Sequence, residues 1–352
     1  MASDVVINAR FLTQPFTGVQ RYALEISRHL SGRDITFVSP SGPIKTSGLN
    51  VRQYGSLKGH LWEQLDLLSY LKTNGNPLLF NLTQTSPFFY KRFVLTLHDI
   101  SFLINPEWYS RGVRRLYSAL VPRLAQRALK IITSSWFSKG EIIRHLNIPE
   151  NRITVIGGAV SEGFSEKKAK EGFAEPLGDY ILAVSSLNPR KNLYNLIRAF
   201  KECRFNGIKL VVVGNTSSVY PGSHSDLIGK MIDDNIHLFN YVTDEQLAAL
   251  YSNSLFFAYP SLYEGFGIPL LEAFVCGCPV MASNTSSMPE VCSDAAYYVN
   301  PYDVDSIANG LKVMVEDAGL RQNLVEKATM RAAQFSWRES AAACLKIIEE
   351  CG

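Results

Sequence analysis

The chain is 352 residues long, with a formal charge of +3, 46% hydrophobic residues and 19% charged residues. That length is generous for one core and comfortable for two domains, and the composition excludes disordered, fibrous and collagen-like classes. No run of about eighteen uncharged apolar residues occurs, so no transmembrane helix is expected. The N-terminus also lacks the basic-then-apolar order of a signal peptide.

Through the first half, short apolar runs alternate with amphipathic stretches, the pattern of a parallel sheet wrapped by helices. Strands are predicted at Val5–Asn8, Ile35–Ser39, Leu78–Asn81, Phe93–Leu97, Ile131–Ser134 and Thr154–Ile156. Helices are predicted near Val19–Leu30, Leu57–Lys72, Arg111–Leu129 and Ser138–Leu146. Between the first strand and the first helix lies Thr13-Gln14-Pro15-Phe16-Thr17-Gly18-Val19-Gln20-Arg21-Tyr22. Loops at the carboxyl ends of parallel strands line the ligand crevice. Gly18 and Arg21 there can admit an anion, although a plain helix start is the simpler account. The fourth strand runs into Leu97-His98-Asp99. A histidine in that place is well set to meet a ligand, while one satisfied within the fold is the commoner outcome.

Between Trp108 and Gly140 stand seven cations, Arg111, Arg114, Arg115, Arg123, Arg127, Lys130 and Lys139, and no Asp or Glu. Two readings stay open: contact with an anionic membrane or a lipid-diphosphate acceptor, or a solvated helix face. No nucleic-acid motif accompanies the charge, so nucleic acid is not an expected partner.

The charged, Gly- and Pro-containing stretch Ser165–Pro176 reads as a linker. Beyond it a second series of strands is predicted at Tyr180–Val184, Lys209–Val213, Ile236–Phe239, Ser254–Ala258, Pro279–Ala282 and Ala296–Val299. After its first strand comes Ser185-Ser186-Leu187-Asn188-Pro189-Arg190-Lys191-Asn192-Leu193. Two adjacent cations at the mouth of a strand suit a diphosphate, Arg190 as a planar fork and Lys191 as a point charge. As an ordinary basic pair they would oppose the dipole of the helix they open.

The string Tyr259-Pro260-Ser261-Leu262-Tyr263-Glu264-Gly265-Phe266-Gly267-Ile268-Pro269-Leu270-Leu271-Glu272-Ala273 joins a buried strand to a helix. Its glycine loop lets backbone approach a ligand, and its amides lie at a positive helix end, a seat for phosphate. Glu264 and Glu272 flank that seat, each able to accept bonds from paired sugar or ribose hydroxyls. In a plain tight turn Glu272 would only add ~0.3–1 kcal/mol against the helix dipole.

Further on, Asp303-Val304-Asp305 precedes a predicted helix Ser306–Val315, where capping is expected rather than metal binding. The tail Trp337–Glu350 is helical in pattern. The cysteines Cys203, Cys276, Cys278, Cys292, Cys344 and Cys351 form no C-x-x-C pair and read as reduced thiols.

Glu264 to Glu272 matches E-G-F-G-x-P-x-x-E in full, and on it the chain resembles the retaining glycosyltransferases of family 4. Gly277–Ser283 and Ser286–Val291 are similar to that family's next two stretches, and a weaker likeness covers nearly the whole chain. The resemblance implies an α/β GT-B fold, with two Rossmann-like, doubly wound parallel-sheet domains facing a central cleft. Residues 1–170 would bind the acceptor and 171–336 the nucleotide-sugar donor, with 337–352 a helix returning to the first domain.

Among the site residues, it implies that Glu272 binds the nucleotide ribose, Glu264 the donor sugar, and Lys191 with Arg190 the diphosphate. Gly265, Phe266 and Gly267 would form the donor loop, His98 would lie beside the transferred sugar, and Gly18 would permit close approach from the first domain. Ser185 stands where many members carry an arginine, six residues before the lysine.

The stretches beginning at His98 and Asn188 look most like mannosyltransferases, so GDP-mannose is the first donor suggested, with UDP-sugars open. A growing lipid-linked bacterial surface glycan is the acceptor suggested. No cofactor beyond the donor and no catalytic metal are expected, and the implied location is the cytoplasm, with peripheral membrane contact through 108–140 as one reading. An epimerase or phosphorylase on the same fold, or a non-catalytic nucleotide-sugar-binding subunit, are the alternatives. No G-x-G-x-x-G follows a first strand, which argues against an NAD-dependent oxidoreductase. Glu264→Ala or Lys191→Ala is expected to abolish transfer and leave folding intact.

Overall fold

The computed structural model describes residues 4–44, 48–164, 177–214, 221 and 223–352. The predicted linker 165–176, and with it the boundary at 170/171, lies outside the described residues. The chain divides into two units: residues 1–100, 115–158 and 336–352, and residues 101–114 with 159–335.

The first unit is built on β1 (Val5–Asn8), β2 (Ile35–Ser39), β3 (Val51–Gln53), β4 (Leu78–Asn81), β5 (Phe93–Thr96), β6 (Lys130–Thr133) and β7 (Ile153–Val155). All neighbours are parallel, in the order β3-β2-β1-β4-β5-β6-β7. The central strands are buried along their length, as unbroken apolar runs require when helices cover both faces. Sequence pattern passed over β3 because Val51-Arg52-Gln53 is a short, largely exposed edge with no apolar run to mark it.

The predicted helix Leu57–Lys72 is helical from Gly59 to Thr73 but holds one π turn, Glu63–Leu67. Such a turn re-aims side chains, and here it buries Glu63 completely. The closing helix Trp337–Cys351 packs on Gly18–Leu30, with Trp337 edge-on to Tyr22 at 5.5 Å and the Ser340 hydroxyl donating to the Gly157 carbonyl at 2.8 Å.

The second unit carries β8 (Tyr180–Val184), β9 (Lys209–Val213), β10 (Ile236–Phe239), β11 (Phe256–Tyr259), β12 (Val280–Ser283) and β13 (Tyr297–Val299). Its order is β10-β9-β8-β11-β12-β13, again wholly parallel. The period of two is plain in its packing. Tyr180, Leu182, Phe257 and Tyr259 enter one core, while Ile181, Ala183, Phe256 and Ala258 enter the other. Strand β11 starts two residues later than predicted because the Ser254 N–H and hydroxyl both bond the Tyr251 carbonyl, closing the helix Asp244–Asn253.

In each sheet the strand order reverses once, between β1 and β4 and between β8 and β11. Crevices at the carboxyl ends of such strand pairs are where open α/β sheets bind ligands. Among the described residues no helix is long and apolar enough to cross a membrane.

Candidate functional site

The loops after β8 and β11 carry the two strings that the sequence singled out, and their strands lie side by side at the second unit's reversal point. After β8, the Asn188 side chain accepts the Arg190 N–H at 3.0 Å and starts the short 3-10 turn Pro189–Lys191. Asn192, in the left-handed conformation at φ 57°, ends that turn. Its amide then donates to the carbonyls of Pro260 (3.0 Å) and Pro301 (2.7 Å), and the Leu262 N–H donates to the Arg190 carbonyl at 2.8 Å. These bonds stitch the two loops together, which fixes the cations against the loop after β11.

The result is a compact charged cluster. The Lys191 ammonium donates to Glu264 Oε1 at 2.8 Å and to the Tyr259 hydroxyl at 2.8 Å, while Arg190 Nη1 lies 3.5 Å from Glu264 Oε2. Burial by itself would raise the Glu264 pKa. The charges of Arg190 and Lys191 and the hydrogen bonds of Lys191 and Tyr259 outweigh it, so the carboxyl titrates below its ordinary value and is ionised at neutral pH. The backbone of Glu264 is clamped as well: its N–H donates to Ser286 Oγ at 2.7 Å, and the Ser287 hydroxyl reaches the carbonyls of Glu264 and Phe266 at 2.9 Å each. Sequence reasoning gave no role to Tyr259, Asn188, Asn192, Ser286 or Ser287. They lay inside the motif strings, but nothing in a string says which member turns inward.

Gly267 has φ 104° and caps the helix Ile268–Val275, with Pro269 in its first turn. A side chain at that φ is strained, and its Cβ would meet Leu270 Cδ1 at 2.9 Å, so the loop needs glycine here. Glu272, one turn on, is buried and accepts from the Tyr251 hydroxyl at 3.4 Å. Phe266 sends its ring into the core against Phe335 at 5.8 Å, so only its backbone remains to face a ligand.

His98 and Gly18 belong to the first unit. His98 follows β5 and is buried. Its Nε2–H donates to the Leu82 carbonyl at 3.3 Å, its ring meets Tyr22 edge-on at 4.7 Å, and its own carbonyl accepts from Ser134 (3.1 Å) and Ser138 (3.0 Å). Burial lowers its pKa despite the Leu82 bond and the nearby Asp99, leaving a neutral ring with Nδ1 as an acceptor. Gly18 opens its helix with nothing within 4 Å of an added Cβ, so packing alone does not demand glycine there. Asp303 accepts the Asp305 N–H at 3.0 Å and caps the helix Val304–Glu316. Among the described residues no group of three or more His, Cys, Asp or Glu is placed to hold a metal ion.

An ionised carboxylate held by two cations, beside a glycine-capped helix start, can meet both the hydroxyls and the phosphates of a nucleotide-sugar. With two Rossmann-like parallel sheets, that describes a GT-B glycosyltransferase. Residues 16–162 match Glycosyltransferase Family 4 and residues 164–331 match Glycosyl transferases group 1, and the chain belongs to this family.

It is 30% identical over 361 residues to the O-antigen chain mannosyltransferase B of Escherichia coli, spanning 92% of this chain and 93% of that one. Among solved structures, sucrose-phosphate synthase from Thermosynechococcus elongatus superposes with a TM-score of 0.79 at 17% identity over 98% of each chain. HepE from Anabaena, in complex with UDP and glucose, gives 0.75 at 19% identity over 99% of each chain.

Proposed function

We propose that the protein transfers mannose from GDP-mannose to a growing O-antigen-type glycan, with retention of configuration and without a catalytic metal. The observation that carries this is the Glu264–Lys191–Arg190 cluster at the reversal point of the second sheet. In this reading the two cations and the amides at the start of Ile268–Val275 take up the charge of the departing diphosphate. Glu264 holds the donor sugar, Glu272 the ribose, and the leaving phosphate helps to accept the proton of the attacking hydroxyl. The kinship with a mannosyltransferase of an O-antigen chain supports the sugar and the acceptor class.

A thermal-shift series with GDP-mannose, UDP-glucose and dTDP-glucose tests the donor. A ligand at 100 times its Kd stabilises the native state by about 2.7 kcal/mol, so GDP-mannose is expected to give the largest upward shift. A larger shift with UDP-glucose would reassign the donor, and none with any nucleotide-sugar would remove the reading. Product analysis then separates transfer, which makes a new glycosidic bond, from epimerisation or phosphorolysis.

The same reading places the enzyme at the cytoplasmic face of an anionic membrane. Of the cations between Trp108 and Gly140, Lys139 is buried against Glu150 at 3.1 Å and Lys130 pairs with Glu350 at 3.5 Å, so neither contributes to an open face. Arg115 and Arg123 are exposed, as is Leu116 on the same helix, and Leu61, Leu65 and Phe89 are exposed apolar side chains of two other segments. Those segments meet the helix through the Tyr117–His60 ring contact at 5.9 Å and the Arg127 guanidinium over the Phe88 ring at 5.0 Å. Apolar side chains rimmed by arginine suit an anionic interface. The triple variant Leu61→Ser, Leu65→Ser, Phe89→Ser is expected to cut sedimentation with phosphatidylglycerol vesicles several-fold at unchanged melting temperature. Undiminished sedimentation would leave the patch as ordinary surface.

A further inference from the structure

Behind His98 the first unit places a row of rings that ends on the closing helix. Among the described residues the imidazole has one hydrogen bond, Nε2–H to the Leu82 carbonyl at 3.3 Å, longer than the usual length of about 2.9–3.0 Å. One long bond at one nitrogen does not fix the tilt of a ring, so packing has to. Tyr22 supplies that packing. Its ring meets His98 edge-to-face, with centroids 4.7 Å apart and planes at 78°. Tyr22 is 2% exposed, and its hydroxyl donates to the Ile156 carbonyl at 3.1 Å. Burial, with Cys344 behind it, pushes the phenol pKa well above its ordinary value, so the hydroxyl stays a neutral donor.

Next in the row stands Trp337, again edge-to-face with Tyr22, at 5.5 Å and 76°. It is the first residue of the helix Trp337–Cys351, whose start is fixed twice. Ser336 caps it by accepting the Glu339 N–H at 3.4 Å, and the Ser340 hydroxyl donates to the Gly157 carbonyl at 2.8 Å. Ile156 and Gly157 are adjacent residues after β7, so tyrosine and helix are moored to the same short segment. A side chain that only filled space here would need volume. One that orients the imidazole needs a ring edge at a set distance.

We propose that Tyr22 is a positioning residue for His98 and that Trp337, at the start of the closing helix, supports it in that role. The inference rests on the reading in which His98 lies beside the transferred sugar, and it adds two residues that act only through that histidine. Nitrogen-15 NMR on the histidine-labelled full chain tests the positioning itself, with His98→Ala identifying the His98 signals by their loss. Wild type and Tyr22→Phe, which keeps the ring, should each show one protonated and one bare nitrogen, the fixed Nε2–H tautomer. Tyr22→Leu keeps apolar bulk but drops the ring, and should draw the two signals together as the imidazole exchanges tautomers. Trp337→Leu should do so in part. In GDP release from GDP-mannose with α-mannobiose as acceptor, Tyr22→Leu should lower kcat about tenfold at unchanged donor KM, since misplacing a reacting group by about 1 Å can cost up to 10²-fold. Added to His98→Ala, it should slow the reaction no further, because residues acting through one group are not additive. Should Tyr22→Leu fail to fold, Trp337→Leu decides on both readouts. Unmoved His98 signals in the leucine variants would overturn the proposal, as would a slowing that persists in full without His98. Averaged signals at wild-type kcat would instead overturn the reading of His98 as the group beside the sugar.

Discussion

Lys191→Ala is expected to lower kcat/KM for the nucleotide-sugar by about 10²–10³-fold, the scale set by removing one preorganised charge stabiliser from a leaving group. The same change should also cost stability. Lys191 is one of two cations compensating the buried carboxylate of Glu264, and stripping a partner from such a pair costs about 3 kcal/mol at the low end of the measured range. Arg190 stays within 3.5 Å and keeps the loss near that end. A domain of this size then melts roughly 6–12 °C lower.

The double variant Lys191→Met, Glu264→Gln separates the two effects. It removes both charges, so the melting temperature should recover most of the loss, while activity should not return at all. Steady-state kinetics with GDP-mannose and a melting curve on each variant are sufficient. Wild-type kcat/KM in Lys191→Ala would show that the lysine serves the fold alone.

The stability cost expected here goes beyond the expectation drawn from the sequence, in which Glu264→Ala and Lys191→Ala leave folding intact. The reason lies in what linear order conveys. The E-G-F-G-x-P-x-x-E string and the Arg190-Lys191 pair were legible because each combines rare residue types at fixed spacing at the end of an apolar run. Their meeting was not, because it depends on β8 and β11 being neighbours, which brings together Lys191 and Glu264, 73 residues apart in the chain. The parallel sheets themselves were legible from continuous apolar runs, and β3 was not, since an exposed edge needs no such run. Glu63 shows the same limit from the other side. In the sequence it is one carboxylate in an amphipathic helix, and only the π turn, which no side-chain pattern announces, takes it from a solvated face to the centre of a buried network. Arg10, to which the sequence pattern assigned nothing, is almost wholly buried beside it.

His98→Ala is expected to reduce kcat by about 10²-fold, or ~2.7 kcal/mol of transition-state stabilisation, with little change in donor KM. The tautomer of the ring sets its role. A carbonyl can only accept, so the 3.3 Å contact with Leu82 places the ring proton on Nε2 and leaves Nδ1 to accept from a sugar hydroxyl. Burial lowers the pKa below 6.5, so the ring stays in this state throughout the neutral range. The sign is distinctive. An ordinary histidine acting as an acceptor would lose activity as the pH fell through about 6.5, whereas activity dependent on His98 should hold through that point and decline only at more acid pH. His98→Asn offers an amide oxygen as a shorter acceptor and should restore part of the rate, which a purely packing role would not predict. A pH–kcat profile of the wild type beside rates for both variants tests all three expectations. An inflection near 6.5 that disappears in His98→Asn would mean the imidazole works as a titrating group, and the assignment of a fixed neutral acceptor would fall.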